Sequence, residues 1–207
     1  MTSQHADGSM RPASNSIPPE HFEAKYRLHP DPWDYDTSAY ERGKYAASLA
    51  ALPRDRYVSA LEIGCSIGVF TTLLASRCDR LLAVDGSETA VSTARSRCAQ
   101  YPHVLVERRR IPDQFPPGMF DLIVLSEVGY YWSSDDLRNA TRCIVDHLEP
   151  SGHLLLVHWT APIDDAPLTG DIVHDTVTAS GQDLRRLVSN REECYRLDLF
   201  ERLGGAG

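Results

Sequence analysis

The residues best placed for chemistry are acids at the ends of apolar runs. Glu62 lies near the end of the run that begins at Ser59, and the loop Gly64-Cys65-Ser66-Ile67-Gly68 follows before a helical pattern starts at Val69. Asp85 ends a second apolar run about 20 residues on, the spacing at which the acid of a following strand reaches a ribose. Glycines let the backbone turn sharply and approach a ligand closely, and a carboxylate can accept hydrogen bonds from the two adjacent hydroxyls of a nucleoside. A dinucleotide site would need Gly-x-Gly-x-x-Gly, with a pyrophosphate resting on the helix N-terminus. This chain instead reads Gly64-x-x-x-Gly68, with Val69, Phe70 and Thr71 where a third glycine should fall. Glu62 would repel a pyrophosphate but suits the amino group of an amino-acid tail.

Ligands of open α/β sheets lie beyond the carboxyl ends of the strands, where strand order reverses. That rule gathers residues 62–68, Asp85 and Gly86, residues 109–112 and 126–132, and His158 with Trp159. Glu127 directly follows an apolar strand, placed either to orient or deprotonate a nucleophile or to serve as a cap or salt-bridge partner. Tyr130 and Tyr131 match the apolar faces and hydroxyls of a sugar, or else pack the cleft wall. His158 ends the fifth strand, as an acceptor contact and proton handler or as a core donor. Ser126 lines the cofactor cleft or caps, and His174 reaches the acceptor or lies at the surface. Asp121, at the start of its strand, reads as structural.

The elements that must hold these groups alternate between strand and helix patterns, which points to a mostly parallel sheet with helices on both faces. Helices are expected over residues 39–52, 69–77, 87–100, 133–148 and 171–179, with Ser87 and Ser133 as N-caps. Strands are expected over 59–63, 80–84, 104–107, 120–125 and 153–158. Period-two alternation over 184–189 and 194–201, around a turn at Asn190-Arg191, reads as a closing antiparallel hairpin.

The loop from Glu62 to Gly68 resembles motif I of class I S-adenosylmethionine-dependent methyltransferases, with Ser66 at the middle glycine. The resemblance implies a Rossmann-like, seven-stranded, mostly parallel sheet with a C-terminal antiparallel hairpin. The segment Ser126-Glu127-Val128-Gly129-Tyr130-Tyr131, with Asp31-Pro32-Trp33 and Tyr40-Glu41-Arg42, is similar more narrowly to the nodulation protein S family of N-methyltransferases. It implies S-adenosyl-L-methionine as cofactor, S-adenosyl-L-homocysteine as product, and methylation of the free amine of a deacetylated chitin-type oligosaccharide or another amino sugar. On this reading Trp33 lies over the cofactor, Glu62 holds the methionine ammonium, and Gly64, Cys65, Ser66 and Gly68 accommodate its tail. Asp85 and Gly86 meet the ribose, and Ser126 borders the cleft. Glu127 and His158 are the catalytic candidates; Tyr130, Tyr131, Trp159 and His174 are the substrate-binding ones. One departure concerns adenine: where many such enzymes carry an acid after strand three, Arg110 stands, so the Ile111 backbone and ring contacts are expected to hold the base, with Asp113 nearby.

The chain has 207 residues, a formal net charge of −8 and a pI near 5.4, which argue against nucleic acid as the main partner. Its five cysteines lack zinc spacing and read as buried thiols of a reducing cytoplasm, with no metal site. No apolar stretch approaches the roughly 20 residues of a membrane span, and no hydrophobic signal core opens the chain. The expected organisation is a disordered segment over 1–19, a single domain over 20–203 and a tail over 204–207, as a cytoplasmic monomer or homodimer. The rival readings are a small-molecule O-methyltransferase, a non-catalytic S-adenosylmethionine-binding module and an NAD-dependent reductase.

Overall fold

The computed structural model describes residues 15–180 and 182–204. Its strands are β1 (Ala60–Ile63), β2 (Leu81–Asp85), β3 (Val104–Arg108), β4 (Phe120–Ser126), β5 (Leu148–Trp159), β6 (Leu184–Arg191) and β7 (Tyr195–Arg202). They form one sheet in the order β3-β2-β1-β4-β5-β7-β6. Pairing is parallel from β3 through β5 and antiparallel for β7 against both β5 and β6. This is the Rossmann-like sheet with a terminal hairpin that the alternation of elements implies.

Helices α1 (Pro19–Leu28), α2 (Ala39–Ala51), α3 (Val69–Ala75), α4 (Glu88–Cys98), α5 (Ser134–His147) and α6 (Gly170–Ser180) complete the chain. Ser38, Ser87 and Ser133 each accept a hydrogen bond from the backbone three residues on, fixing where α2, α4 and α5 begin. The middle of β4 is apolar because both its faces are covered. Ile123 and Leu125 pack with Leu61, Ile144 and Val173 on one side, while Leu122 and Val124 pack with Leu74, Tyr45 and Leu155 on the other. Asp121 pins the start of β1, its two oxygens accepting Ser59 N at 2.8 Å and Val58 N at 2.9 Å.

Three details differ from the sequence reading. The hairpin turn lies at residues 192–194 rather than at Asn190-Arg191, because Arg191 still pairs with Arg196 across the ladder. Helix α1 was not expected, and the described part of the expected lead-in is packed: Ile17 N donates to Tyr131 O at 2.8 Å. Residues 1–14 and 205–207 lie outside the described residues. β5 starts at Leu148, its pairing passing through an irregular stretch where Ser151 has φ +60°.

Candidate active site

Sheet register gathers the site. Ile63 pairs with Val84 on one side and Leu125 on the other, so the next residues, Gly64, Asp85 and Ser126, stand abreast at the carboxyl edge. Chain order reverses between β1 and β4, and a cleft opens above this row. Asp85, Gly86, Ser66, Ile111, Trp33 and Tyr131 line it. A smaller cavity, bordered by Glu62, Cys65, Phe70 and Ser126, adjoins the cleft. Tyr35, Gly64, Ser66 and Glu127 border both and form the neck between them.

The glycine loop is shaped by contacts on both sides. Gly64 has φ +85°, and a Cβ there would lie 2.9 Å from Ser126 O and 3.1 Å from Val128. The reason for glycine is therefore the strand-end backbone of β4, not only room for a ligand tail. Gly68, expected against the cofactor, borders neither cavity; its φ of +81° and a would-be Cβ 3.0 Å from Ala94 let α3 start flush against α4. Cys65 turns its thiol into the packing with Ala83, Val91 and Cys98, so only its main chain serves the loop.

Asp85 faces the cleft with both oxygens partly engaged, Oδ2 by Ser66 N at 3.0 Å and Oδ1 by Ser87 N at 2.9 Å. These bonds aim the carboxylate and leave lone pairs for ribose hydroxyls. Burial pushes its pKa upward against them. Glu62 is buried, and its Oε2 has no hydrogen-bond partner among the described residues. Desolvation raises its pKa to about 7, opposed by Thr71 and assisted by Asp85. A buried carboxylate oxygen left unpaired costs roughly 1–3 kcal/mol or more, and an ammonium is the ligand that would relieve it. The residues present thus fit S-adenosylmethionine, nucleoside in the cleft and amino-acid tail in the smaller cavity. Ile111 lines the cleft with Arg110 and Asp113, which pair with each other at 3.5 Å.

Helix α1 closes one wall. Glu23 accepts Ser87 Oγ at 2.7 Å, Thr89 N at 3.1 Å and Thr89 Oγ1 at 2.7 Å, which fastens α1 to the start of α4. Those bonds, Ser87 first, hold the Glu23 pKa down to about 2. Tyr26 sets its hydroxyl 2.5 Å from Ser66 Oγ and its ring edge-on to Trp33.

Glu127 sits at the neck with φ +55°. Lys44 Nζ bonds one carboxylate oxygen, while Tyr130 Oη at 2.7 Å and Trp159 N at 2.9 Å donate to the other. Lys44 is buried between Glu127 and Glu41; burial disfavours its charge, but the two carboxylates outweigh burial and raise its pKa. Tyr130 and Trp159 border neither cavity and act here by holding Glu127, whereas Tyr131 lines the cleft beside Phe22.

His158 and His174 are corrections to the sequence reading. Both are fully buried and away from either cavity. His158 Nε2 accepts Gly129 N at 3.2 Å, so its proton is on Nδ1, which donates to His174 Nε2; His174 Nδ1 in turn donates to Asp198 Oδ2 at 2.7 Å. The chain ends on a backbone amide and offers no proton to a substrate. The tyrosines Tyr26 and Tyr35, and Glu23, Lys44 and Asp198, escaped sequence reading; only Lys44 left a trace, as a charge on the helical face of Glu41, Tyr45 and Ser48.

The fold and cleft are those of the class I methyltransferases. The family model of nodulation protein S (NodS) matches residues 24–163, and the chain belongs to that family. Nodulation protein S of Bradyrhizobium diazoefficiens is 39% identical over 127 residues, 60% of this chain and 61% of that one. The match therefore spans about three fifths of that curated relative. Among solved structures, the N-methyltransferase NodS of Bradyrhizobium japonicum WM9 in complex with S-adenosyl-L-homocysteine superposes with a TM-score of 0.79 at 25% identity, covering 90% of this chain and 99% of that one. A Pseudomonas syringae structure described as a methyltransferase has 42% identity and a TM-score of 0.71, covering 80% of this chain and all of that one. No helix among the described residues is long and apolar enough to cross a membrane.

Proposed function

We propose that this chain is an S-adenosylmethionine-dependent N-methyltransferase acting on the free amine of a small polar acceptor, an amino sugar or deacetylated chitooligosaccharide. The observation that carries the reading is the unpaired, buried Glu62 Oε2 in a cavity joined through the Glu127 neck to a nucleoside cleft. Likeness to the solved N-methyltransferase NodS, with membership of its family, supports the choice of an amine.

When bound, S-adenosylmethionine supplies an electrophilic methyl group on a positively charged sulfur. Glu62 holds the ammonium of the tail, Asp85 the ribose and Ile111 the base, which leaves the neck for the reacting atoms. The amine attacks in its neutral form and gains positive charge as the N–C bond forms. Glu127 faces that developing charge, held by Lys44, Tyr130 and Trp159 so that little reorganisation is needed. With three donors already on it, the carboxylate is better suited to orient the amine and stabilise the ammonium than to carry a proton away. Alignment of nitrogen, carbon and sulfur supplies much of the rate, with effective molarities on the order of 10⁵ M available from orientation.

Turnover against pH with a glucosamine oligosaccharide and with its N-acetylated form tests the reading. The free amine alone is expected to be methylated, at a rate that rises as the amine loses its proton. Equal activity on both forms would overturn the amine assignment, and failure to bind S-adenosylhomocysteine would overturn the methyltransferase reading itself.

A further inference from the structure

The neck between the two cavities has four walls, and they differ in what they have left to offer. Gly64 brings only backbone, and Ser66 Oγ is taken by the Tyr26 hydroxyl. Glu127 is held by Lys44, Tyr130 and Trp159. Tyr35 is the exception: it lines both cavities, and its hydroxyl makes no hydrogen bond to another described residue. The loop before α2 holds it there. Asp31 accepts Tyr35 N at 3.0 Å and Asp36 N at 2.9 Å, Asp34 turns the chain at φ +56°, and Trp33 stacks on the Tyr35 ring at 5.7 Å. A loop wound this tightly around one carboxylate delivers an aromatic hydroxyl to a chosen point.

We propose that Tyr35 is a catalytic residue whose hydroxyl oxygen faces the transferred methyl group and the incoming amine at this neck. The inference rests on the methyl-transfer reading above and assigns a residue within it. With one N–H of the neutral amine donated to Tyr35 Oη, the nitrogen lone pair is held on the axis of the neck. The lone pair forms the N–C bond while the C–S bond breaks and its electron pair passes to sulfur. The nitrogen ends as a methylated ammonium opposite Glu127 and gives its proton to water after release. No protein base is consumed. Burial, followed by the facing Tyr26 hydroxyl and the Glu127 carboxylate, raises the Tyr35 pKa, so the group works as a phenol.

The test uses two ligands that differ at the neck. S-adenosylhomocysteine has nothing where the methyl group sits, and sinefungin carries an amine there. Calorimetric titration of the full chain and of Tyr35→Phe compares the two affinities. The variant is expected to bind S-adenosylhomocysteine within about threefold of the parent while its affinity for sinefungin falls roughly 10–150-fold, the worth of a hydrogen bond to a charged group. With a glucosamine oligosaccharide, kcat is expected to fall roughly 10–100-fold. A thermal melt confirms the fold of the variant, and Tyr35→Leu, which removes the ring as well, is expected to lose sinefungin affinity at least as far. Unchanged sinefungin preference and unchanged kcat in Tyr35→Phe would overturn the assignment. A parent chain that binds neither ligand would instead overturn the methyl-transfer reading beneath it.

Discussion

Nδ1 of His158 lies 3.2 Å from Nε2 of His174, ring edge against ring face, in a part of the core with no access to solvent. Each ring can serve its next partner only as one neutral tautomer, and the Asp198 carboxylate at the far end selects both. The near end is Gly129 N–H, two residues after Glu127. Glu127 itself is gripped by Val157 O and Trp159 N, the neighbours of His158 on β5. The pair is thus part of how β5 and α6 hold the turn that presents Glu127.

His174→Phe should remove the acceptor for His158 Nδ1–H and cost about 1–3 kcal/mol of stability, the penalty for an orphaned buried donor. S-adenosylhomocysteine affinity should stay within a few fold, because neither ring borders the cleft. Burial lowers the pKa of both histidines below the ordinary 6.5. With folded values below the unfolded one, their contribution to stability is present above pH 6.5 and is lost as pH falls below it. Melting curves of the parent should therefore drop between pH 7 and 5, and those of His158→Phe/His174→Phe should drop less. An identical pH dependence in the double variant would refute the relay.

Glu62 yields a prediction of the opposite sign. Its folded pKa of about 7 lies above the unfolded value of 4.5, so its stabilising contribution is full below pH 4.5 and disappears as pH rises through 7. Glu62→Gln should raise the melting temperature of the unliganded protein at pH 8. An ammonium docking on Glu62 would favour its charged form, so binding of S-adenosylhomocysteine near pH 6.5 should release a fraction of a proton. Titrations in phosphate and in imidazole, which both buffer there and differ in ionisation enthalpy, would report that proton, and Glu62→Gln should abolish it.

Much of the sheet was legible in the sequence because its strands are covered on both faces, leaving long apolar runs such as residues 120–125. The turn after β1 was legible too, since an acid, two glycines and a second acid at this spacing put a loop and two carboxylates at one edge of the sheet. Helix α1 was missed because its hydrophobic content is slight: Tyr26 is its one buried residue, and its attachment is polar, through Glu23. His158 and His174 were misplaced because a histidine at a strand end and another on the following helix read alike whether they face a cleft or each other. Only Asp198, 24 residues beyond His174 and on a different element, decides between those cases.

Glu23→Gln should loosen α1. The parent carboxylate has a folded pKa of about 2 against 4.5 unfolded, so its contribution is intact above pH 4.5 and fades as pH falls toward 2. At pH 7 hydrogen exchange over residues 19–28 should quicken in the variant, and S-adenosylhomocysteine should bind several-fold more weakly. Exchange rates equal to those of the parent would show that packing of Tyr26 and Phe22 alone holds the helix.

Closure by α1 also bears on timing. A cofactor used once per methyl transfer must be replaced once per turnover, and the Glu23 and Tyr26 attachments fasten the helix that forms one wall of the cleft. Under the proposed function, an attachment that retains the fresh cofactor retains the spent one as well. Under that reading, a turnover limited by release would be set by how often a short helix lets go, a rate to which neither Glu127 nor Tyr35 contributes.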